Sequence, residues 1–132
     1  MKKVLIIGFA VLLCGLTLVV CSKTESKKEN TFEQITPAEA KALMDSESDY
    51  IILDVRTEEE FNETHIEGAV LIPDYEIGTK ADSILTDKEQ LILVYCRSGR
   101  RSKIAAEKLV KLGYTNVKEF GGIIDWEYEI VK

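Results

Sequence analysis

The sequence predicts an α/β domain with a small, mainly parallel central sheet and helices on both faces. Two observations carry this. Short apolar runs at residues 50–55, 69–72, 91–95 and 117–120 read as strands, the longer ones buried on both sides. Between them stand helix patterns, and strands that alternate with helices favour parallel pairing.

Each element has a local reason. Thr36-Pro37-Ala38-Glu39 opens the first helix: Thr36 caps it, Pro37 suits the first turn and Glu39 completes a capping box. Residues 50–55, interrupted only by Asp54, form a buried strand. Thr57-Glu58-Glu59-Glu60 repeats the capping pattern before a short helix. Residues 69–72 make a short strand stopped by Pro73. Residues 77–85 read as a helix, followed by a turn at Asp87-Lys88. After the strand 91–95, residues 102–112 form a helix with apolar residues at 104, 105, 109 and 112 in one stripe and Gly113 as its C-cap. The last short strand, 117–120, is broken by Gly121-Gly122, and 123–126 begins a terminal turn or helix.

With 132 residues there is room for one domain and one core. Three segments are expected: residues 1–21 as a signal peptide or membrane anchor, 22–30 as a flexible tether, and 31–132 as the folded domain. Lys2 and Lys3 precede an uncharged run from Val4 to Cys21, a positive n-region followed by an apolar h-region. That run is also long enough to span a bilayer. Residues 22–30 contain no apolar side chain, as a solvated tether requires. The formal net charge is −6, and losing Lys2 and Lys3 with the leader makes it −8. An acidic body does not suit nucleic acid or an anionic membrane surface. Outside the leader and its boundary Cys96 is the only cysteine, so the folded part has no internal disulfide. A lone thiol facing an oxidising compartment is a liability unless it has a task.

The most informative stretch is Cys96-Arg97-Ser98-Gly99-Arg100-Arg101-Ser102. It places a cysteine at the end of a buried strand, in a short basic loop, ahead of a helix. Ligand sites of parallel sheets lie at these carboxyl ends. Unpaired N–H groups at the helix start, the positive end of its dipole and three arginines all favour a sulfur anion over the thiol. A cysteine ending a strand is often only a small hydrophobe. That reading explains Cys96 but not the arginines and glycine beside it. An anion-binding loop without covalent chemistry explains the arginines but not the thiol.

This loop resembles the active loop of rhodanese-like sulfurtransferases. The resemblance extends to Leu53-Asp54-Val55-Arg56, to Glu60-Phe61 leading into His65-Ile66-Glu67-Gly68-Ala69, to Ile72-Pro73, and to Gly121-Gly122 followed by Trp126. It covers residues 31–132, with Thr64 standing where a glycine commonly precedes the histidine. It implies a rhodanese-like fold and a thiosulfate sulfurtransferase type of activity, with Cys96 as the catalytic residue that carries a persulfide. Backbone N–H groups of Arg97, Ser98, Gly99, Arg100, Arg101 and Ser102 would then bind the charged sulfur. Arg97 and Arg100 are the candidates for attracting an anionic donor, and Arg101 for bracing the loop through a carboxylate. The partners implied are a small anionic sulfur donor and a thiophilic acceptor. No Cys/His cluster has metal-ligand spacing and no phosphate-binding glycine motif is present, so neither metal nor cofactor is expected.

Two other functions share this resemblance. One is a non-catalytic rhodanese-like module that binds a partner through the same loop, although such a module has no need of the thiol. The other is a phosphatase or arsenate reductase of the same fold. Those phosphatases use a loop one residue longer than the six from Cys96 to Arg101. His65 is expected in a structural turn, Asp54 and Arg56 as a pair fixing neighbouring loops, and Trp126 and Tyr128 as core or rim aromatics. At the N-terminus, Leu18-Val19-Val20-Cys21-Ser22 resembles a bacterial lipoprotein signal in which Cys21 is lipidated. Val20 stands where such signals carry Gly, Ala or Ser, so an uncleaved anchor and simple secretion remain alternatives. The resulting expectation is an exported protein tethered to the outer face of the bacterial cell membrane.

Overall fold

The computed structural model describes residues 30–132. The leader, the lipidation candidate Cys21 and the tether up to residue 29 lie outside the described residues. The elements follow in order: β1 (Glu33–Gln34), α1 (Pro37–Ser46), β2 (Tyr50–Asp54), α2 (Glu58–Glu63), β3 (His65–Ile66), β4 (Val70–Leu71), α3 (Ile77–Ile84), β5 (Leu91–Cys96), α4 (Arg100–Lys111), β6 (Val117–Gly122) and β7 (Ile130–Val131). Single 3₁₀ turns at Asp74–Glu76 and Ile123–Asp125 complete the chain.

Both capping boxes form. Thr36 Oγ1 accepts from the Glu39 amide while the Glu39 carboxylate accepts from the Thr36 amide, and Thr57 and Glu60 exchange the same two bonds. Two of the orphan donors at each helix start are thereby satisfied, each cap being worth about 1 kcal/mol.

Five strands form one parallel sheet in the order β1-β6-β5-β2-β4, and β3 pairs with β7 in a separate antiparallel ribbon. β5 is central, and all six of its residues are buried. Its side chains alternate between two cores. Ile92, Val94 and Cys96 pack with Ile77, Ala81, Ala105, Ala106 and Leu109 of α3 and α4. Leu91, Leu93 and Tyr95 pack on the other face with Ala40 of α1, Phe120 and Trp126. Helices therefore cover both faces, and a buried aliphatic side chain in either core contributes roughly 1.5–3 kcal/mol. The alternation places Cys96 on the α4 face at the carboxyl end of the middle strand.

Three details differ from the sequence expectation. α4 begins at Arg100 rather than Ser102, because Gly99, with φ of +106°, turns the chain directly into the helix. Its buried stripe is Ser102, Ala105, Ala106 and Leu109, whereas Ile104 is 40% exposed. Residues 102, 105, 106 and 109 follow the i, i+3, i+4, i+7 spacing of one helix face, so a polar Ser102 enters the core side. Finally, β6 is not broken by the glycine pair but runs through it, with a register shift that sets Cys96 opposite Gly122. The two-residue strands β1, β3 and β7 are too short to produce a periodic signal.

Candidate active site

Cys96 is 1% exposed and lies where β5 gives way to the loop Arg97, Ser98, Gly99. The loop folds back over the sulfur. The Gly99 amide donates to Cys96 Sγ at 3.0 Å, and Ser102 Oγ stands 3.3 Å from the same atom. Gly99 caps α4 without a side chain, so the first-turn amides that follow it have no partner within the helix ladder. The basic loop thus presents N–H groups and a helix start to the thiol, as an anion-binding cradle does.

The other wall is the end of β6. Gly122 approaches the loop so closely that a Cβ there would lie 1.9 Å from Arg97 O and 2.4 Å from Ser98 N. The Ile124 amide donates to Arg97 O at 3.2 Å and ties the loop to the segment after β6. Within this wall Glu119 is buried, and its Oε1 accepts from Ser102 Oγ at 2.7 Å and from the Gly121 amide at 2.8 Å.

The rhodanese-like domain family matches residues 36–129. The chain belongs to that family. Among its relatives, the thiosulfate sulfurtransferase PspE of Escherichia coli K12 is 38% identical over 73 residues, 55% of this chain and 70% of that protein. The adenylyltransferase and sulfurtransferase UBA4 of Candida albicans is 33% identical over 104 residues, 74% of this chain, and there the chain spans only 24% of the relative. Among solved structures, a rhodanese with anions from E. coli superposes with a TM-score of 0.59 at 36% identity, over 63% of this chain and 98% of that one. The Alr3790 protein from Anabaena reaches 0.68 at 27% identity, over 74% of this chain and 90% of that one. The protein is a member of the rhodanese-like sulfurtransferases.

This rhodanese-like domain supports its loop with two polar networks. Arg101, half-buried on α4, forms a bidentate pair with Glu60, Nη1–Oε1 at 2.7 Å and Nη2–Oε2 at 3.0 Å. The carboxylate brace expected for Arg101 is therefore the same residue that closes the α2 capping box. The Arg101 guanidinium holds the Glu60 carboxyl down at about 2, with the Thr57 amide adding to the effect, against a burial that opposes it. In the second network Asp54 pairs with Arg56 at 2.7 Å, accepts from Tyr95 Oη at 2.7 Å, and is wholly buried. Arg56 donates onward to Thr64 O, and Tyr95 Oη accepts from the Ile66 amide. The Asp54–Arg56 pair thus fixes the segment around His65. Burial and the Asp54 carboxylate both push the Tyr95 phenol well above its ordinary range, which keeps it a donor. His65 stacks on Phe61 at 3.8 Å with its Nδ1 2.8 Å from Phe61 O, which is a structural role, but it stands in β3 opposite Val131 and not in a turn.

Arg97, Ser98 and Arg100 are exposed, whereas Gly99 and Ser102 are buried. Trp126 closes the core against Phe120 and Tyr128 stands at the rim beside it. Sequence reasoning missed Glu119. The signal was present: strand alternation puts residue 119 on the face of Val117, so a carboxylate there had to be buried and bonded.

The Glu60–Arg101 pair predicts a pH dependence. Because the folded-state value of Glu60 lies below its ordinary 4.5, the pair contributes fully above about 4.5 and is lost as pH falls toward about 2. Solvent reaches both side chains, which limits the contribution to roughly 1 kcal/mol. Thermal unfolding of the protein and Glu60→Gln should therefore differ at pH 7 and converge through that window. A constant difference down to the acid end would show that the pair adds no such linkage.

Proposed function

We propose that the protein moves a sulfane sulfur from an anionic donor such as thiosulfate to a thiophilic acceptor, through a persulfide on Cys96. The observation that carries this is the sulfur itself: Cys96 Sγ closes the central strand and receives the Gly99 amide at 3.0 Å inside a basic loop. The name of the E. coli relative PspE supports thiosulfate as the donor class.

The chemistry divides one transfer into two nucleophilic steps. In the first, the Cys96 thiolate attacks the outer sulfur of thiosulfate. A new S–S bond forms as the bond to the inner sulfur breaks, and sulfite leaves with the electron pair. In the second, the acceptor attacks the outer sulfur of the persulfide, the Cys96 thiolate leaves, and the loop returns to its starting state. Neither step moves a proton when the acceptor is an anion such as cyanide. The amides from Arg97 to Ser102 bind the sulfur charge, with Gly99 as the one already in contact, and donors of this kind stabilise charge without reorganising. Arg97 and Arg100, both exposed, attract the anionic donor.

Incubating the full chain with thiosulfate and mapping its peptides by mass spectrometry tests the reading. A peptide containing Cys96 that is heavier by one sulfur, and lightened again by cyanide, is expected. Arg97→Ala and Arg100→Ala should slow loading at low thiosulfate and recover at high thiosulfate, because the attraction is shared by ground and transition states. An unmodified Cys96 at every thiosulfate concentration overturns the proposal.

The leader pattern supports export, with the domain held at the outer membrane face through a lipid on Cys21 or through an uncleaved anchor. Two acyl chains would anchor it stably where one would not. Mass analysis of the membrane-associated protein decides between the two. Loss of residues 1–20 with added lipid mass, both abolished in Cys21→Ala, supports lipidation; an intact leader unaffected by Cys21→Ala supports the anchor; and protein found only inside the cell overturns export.

A further inference from the structure

The mechanism starts from a Cys96 thiolate and makes no use of the buried carboxyl group of Glu119, which stands behind the loop. Glu119 is 2% exposed. Both hydrogen bonds to its side chain fall on Oε1, from Ser102 Oγ and the Gly121 amide. Among the described residues no cation pairs with it. A buried carboxylate without a cation is costly as an anion, and a proton delivered to it from Cys96 moves the charge to a sulfur that the Gly99 amide already meets.

Ser102 sits between this carboxylate and the sulfur. Its oxygen lies 2.7 Å from Glu119 Oε1, 3.0 Å from Gly99 O, 3.3 Å from Gly121 O and 3.3 Å from Cys96 Sγ. A hydroxyl has one hydrogen. The carboxylate is the nearest acceptor and the only charged one, so that hydrogen goes to Glu119. The two carbonyls can only accept. The Ser102 oxygen therefore turns a lone pair toward Sγ, and in the 3.3 Å contact the donor is the Cys96 thiol. The order is S–H to Ser102, then O–H to Glu119.

We infer that Glu119 takes up the proton of the resting Cys96 thiol through the Ser102 hydroxyl, so that the nucleophilic thiolate forms without releasing a proton from the site. The S–H bond breaks as Ser102 Oγ gains that hydrogen and passes its own to Glu119 Oε1. Nothing is oxidised or reduced, and the trio keeps a single negative charge throughout. After the transfer Sγ is an anion that receives two donors, the Gly99 N–H and the Ser102 O–H, in place of one. The other charged groups nearby are Arg97 on the loop, Arg100, Arg101 and Lys103 on α4, Glu60 on α2, Asp74 near Arg101, and Lys118 on β6. Arg101 is engaged by Glu60 and Lys118 by Glu33, and none of these groups bonds to Glu119 or Ser102.

The inference rests on Cys96 being the nucleophile proposed above, so its test reads the thiol and not sulfur transfer. Iodoacetamide labelling of the full chain would be followed on the Cys96 peptide between about pH 5 and 9, since the thiolate is the species that reacts. An internal proton transfer does not depend on pH as long as the trio holds its single negative charge. The wild-type rate should therefore level off toward the acid end, as coupled sites do, where a simple thiol falls tenfold per pH unit. Glu119→Gln keeps both hydrogen bonds but cannot take the proton, and it should restore the steep fall, at least a tenfold lower rate near pH 5. Ser102→Ala should do the same, while Ser102→Thr keeps the hydroxyl and the plateau. Parallel profiles for wild type and Glu119→Gln overturn the inference, and so does faster labelling of Glu119→Gln at every pH, which would make Glu119 only a repelling anion. If thermal unfolding shows that Glu119→Gln does not fold, the comparison of Ser102→Ala with Ser102→Thr decides, equal slopes overturning it. Failure of thiosulfate to load Cys96 would remove the sulfur-transfer reading alone, because the labelling profile uses no sulfur donor.

Discussion

Cys96→Ser should reduce sulfur transfer to background, a loss on the order of 10⁴-fold or more, while the domain stays folded. A serine hydroxyl remains protonated near neutral pH and cannot form a persulfide, so neither step of the double displacement is open to it. The structural cost is small for a specific reason. The new hydroxyl would find the Gly99 amide and Ser102 Oγ where Sγ now finds them, at 3.0 and 3.3 Å, so it is not left unsatisfied. A stability change within about 1 kcal/mol is expected. Steady-state transfer from thiosulfate to cyanide and thermal unfolding, measured on the same preparations, check both halves. Activity surviving in the serine variant would exclude Cys96 as the sulfur carrier.

Gly122→Ala should be nearly as damaging to activity and much more damaging to the fold. The added methyl would lie 1.9 Å from Arg97 O, 2.2 Å from Arg97 C and 2.4 Å from Ser98 N, all backbone atoms. No rotamer change relieves this, so either the loop or the end of β6 must move. Because Gly122 pairs in register with Cys96, that movement falls on the sulfur and on the Gly99 amide that contacts it. A displacement near 1 Å is enough to lower turnover on the order of 100-fold, and the overpacking costs about 1–3 kcal/mol or more. The neighbouring glycine separates space from backbone strain. Gly121 has φ of +89° and open space around a Cβ, so Gly121→Ala carries a conformational cost of about 1–2 kcal/mol without pressing on the loop. Turnover and melting temperature of the two variants should diverge accordingly. Wild-type turnover in Gly122→Ala would show that the close approach does not position the nucleophile.

Adjacent identical residues therefore serve different ends, and only tertiary structure distinguishes them. In the sequence Gly121-Gly122 reads as a strand breaker, because glycine weakens a strand whatever stands opposite it. In the fold the pair continues β6, and Gly122 is required because the Arg97 carbonyl occupies the place of its side chain.

What the sequence determined by itself is whatever depends on neighbours a few positions away. Both capping boxes are of this kind, since Thr36 bonds Glu39 and Thr57 bonds Glu60 across three residues. So are the apolar runs of β2 and β5, the Gly113 turn after α4 and the placement of a cysteine at a strand end ahead of a helix. Tertiary structure decided the contacts between distant positions. Arg101 meets Glu60 across 41 residues, Tyr95 meets Asp54 across 41, and Ser102 meets Glu119 across 17. A charged or polar side chain has many partners of suitable chemistry along a chain of this composition, and spacing does not choose among them. The choice is made by burial: once β5, β6 and α4 pack together, a carboxylate excluded from water must bond to what lies within reach, and for Glu119 that is the hydroxyl beside Cys96.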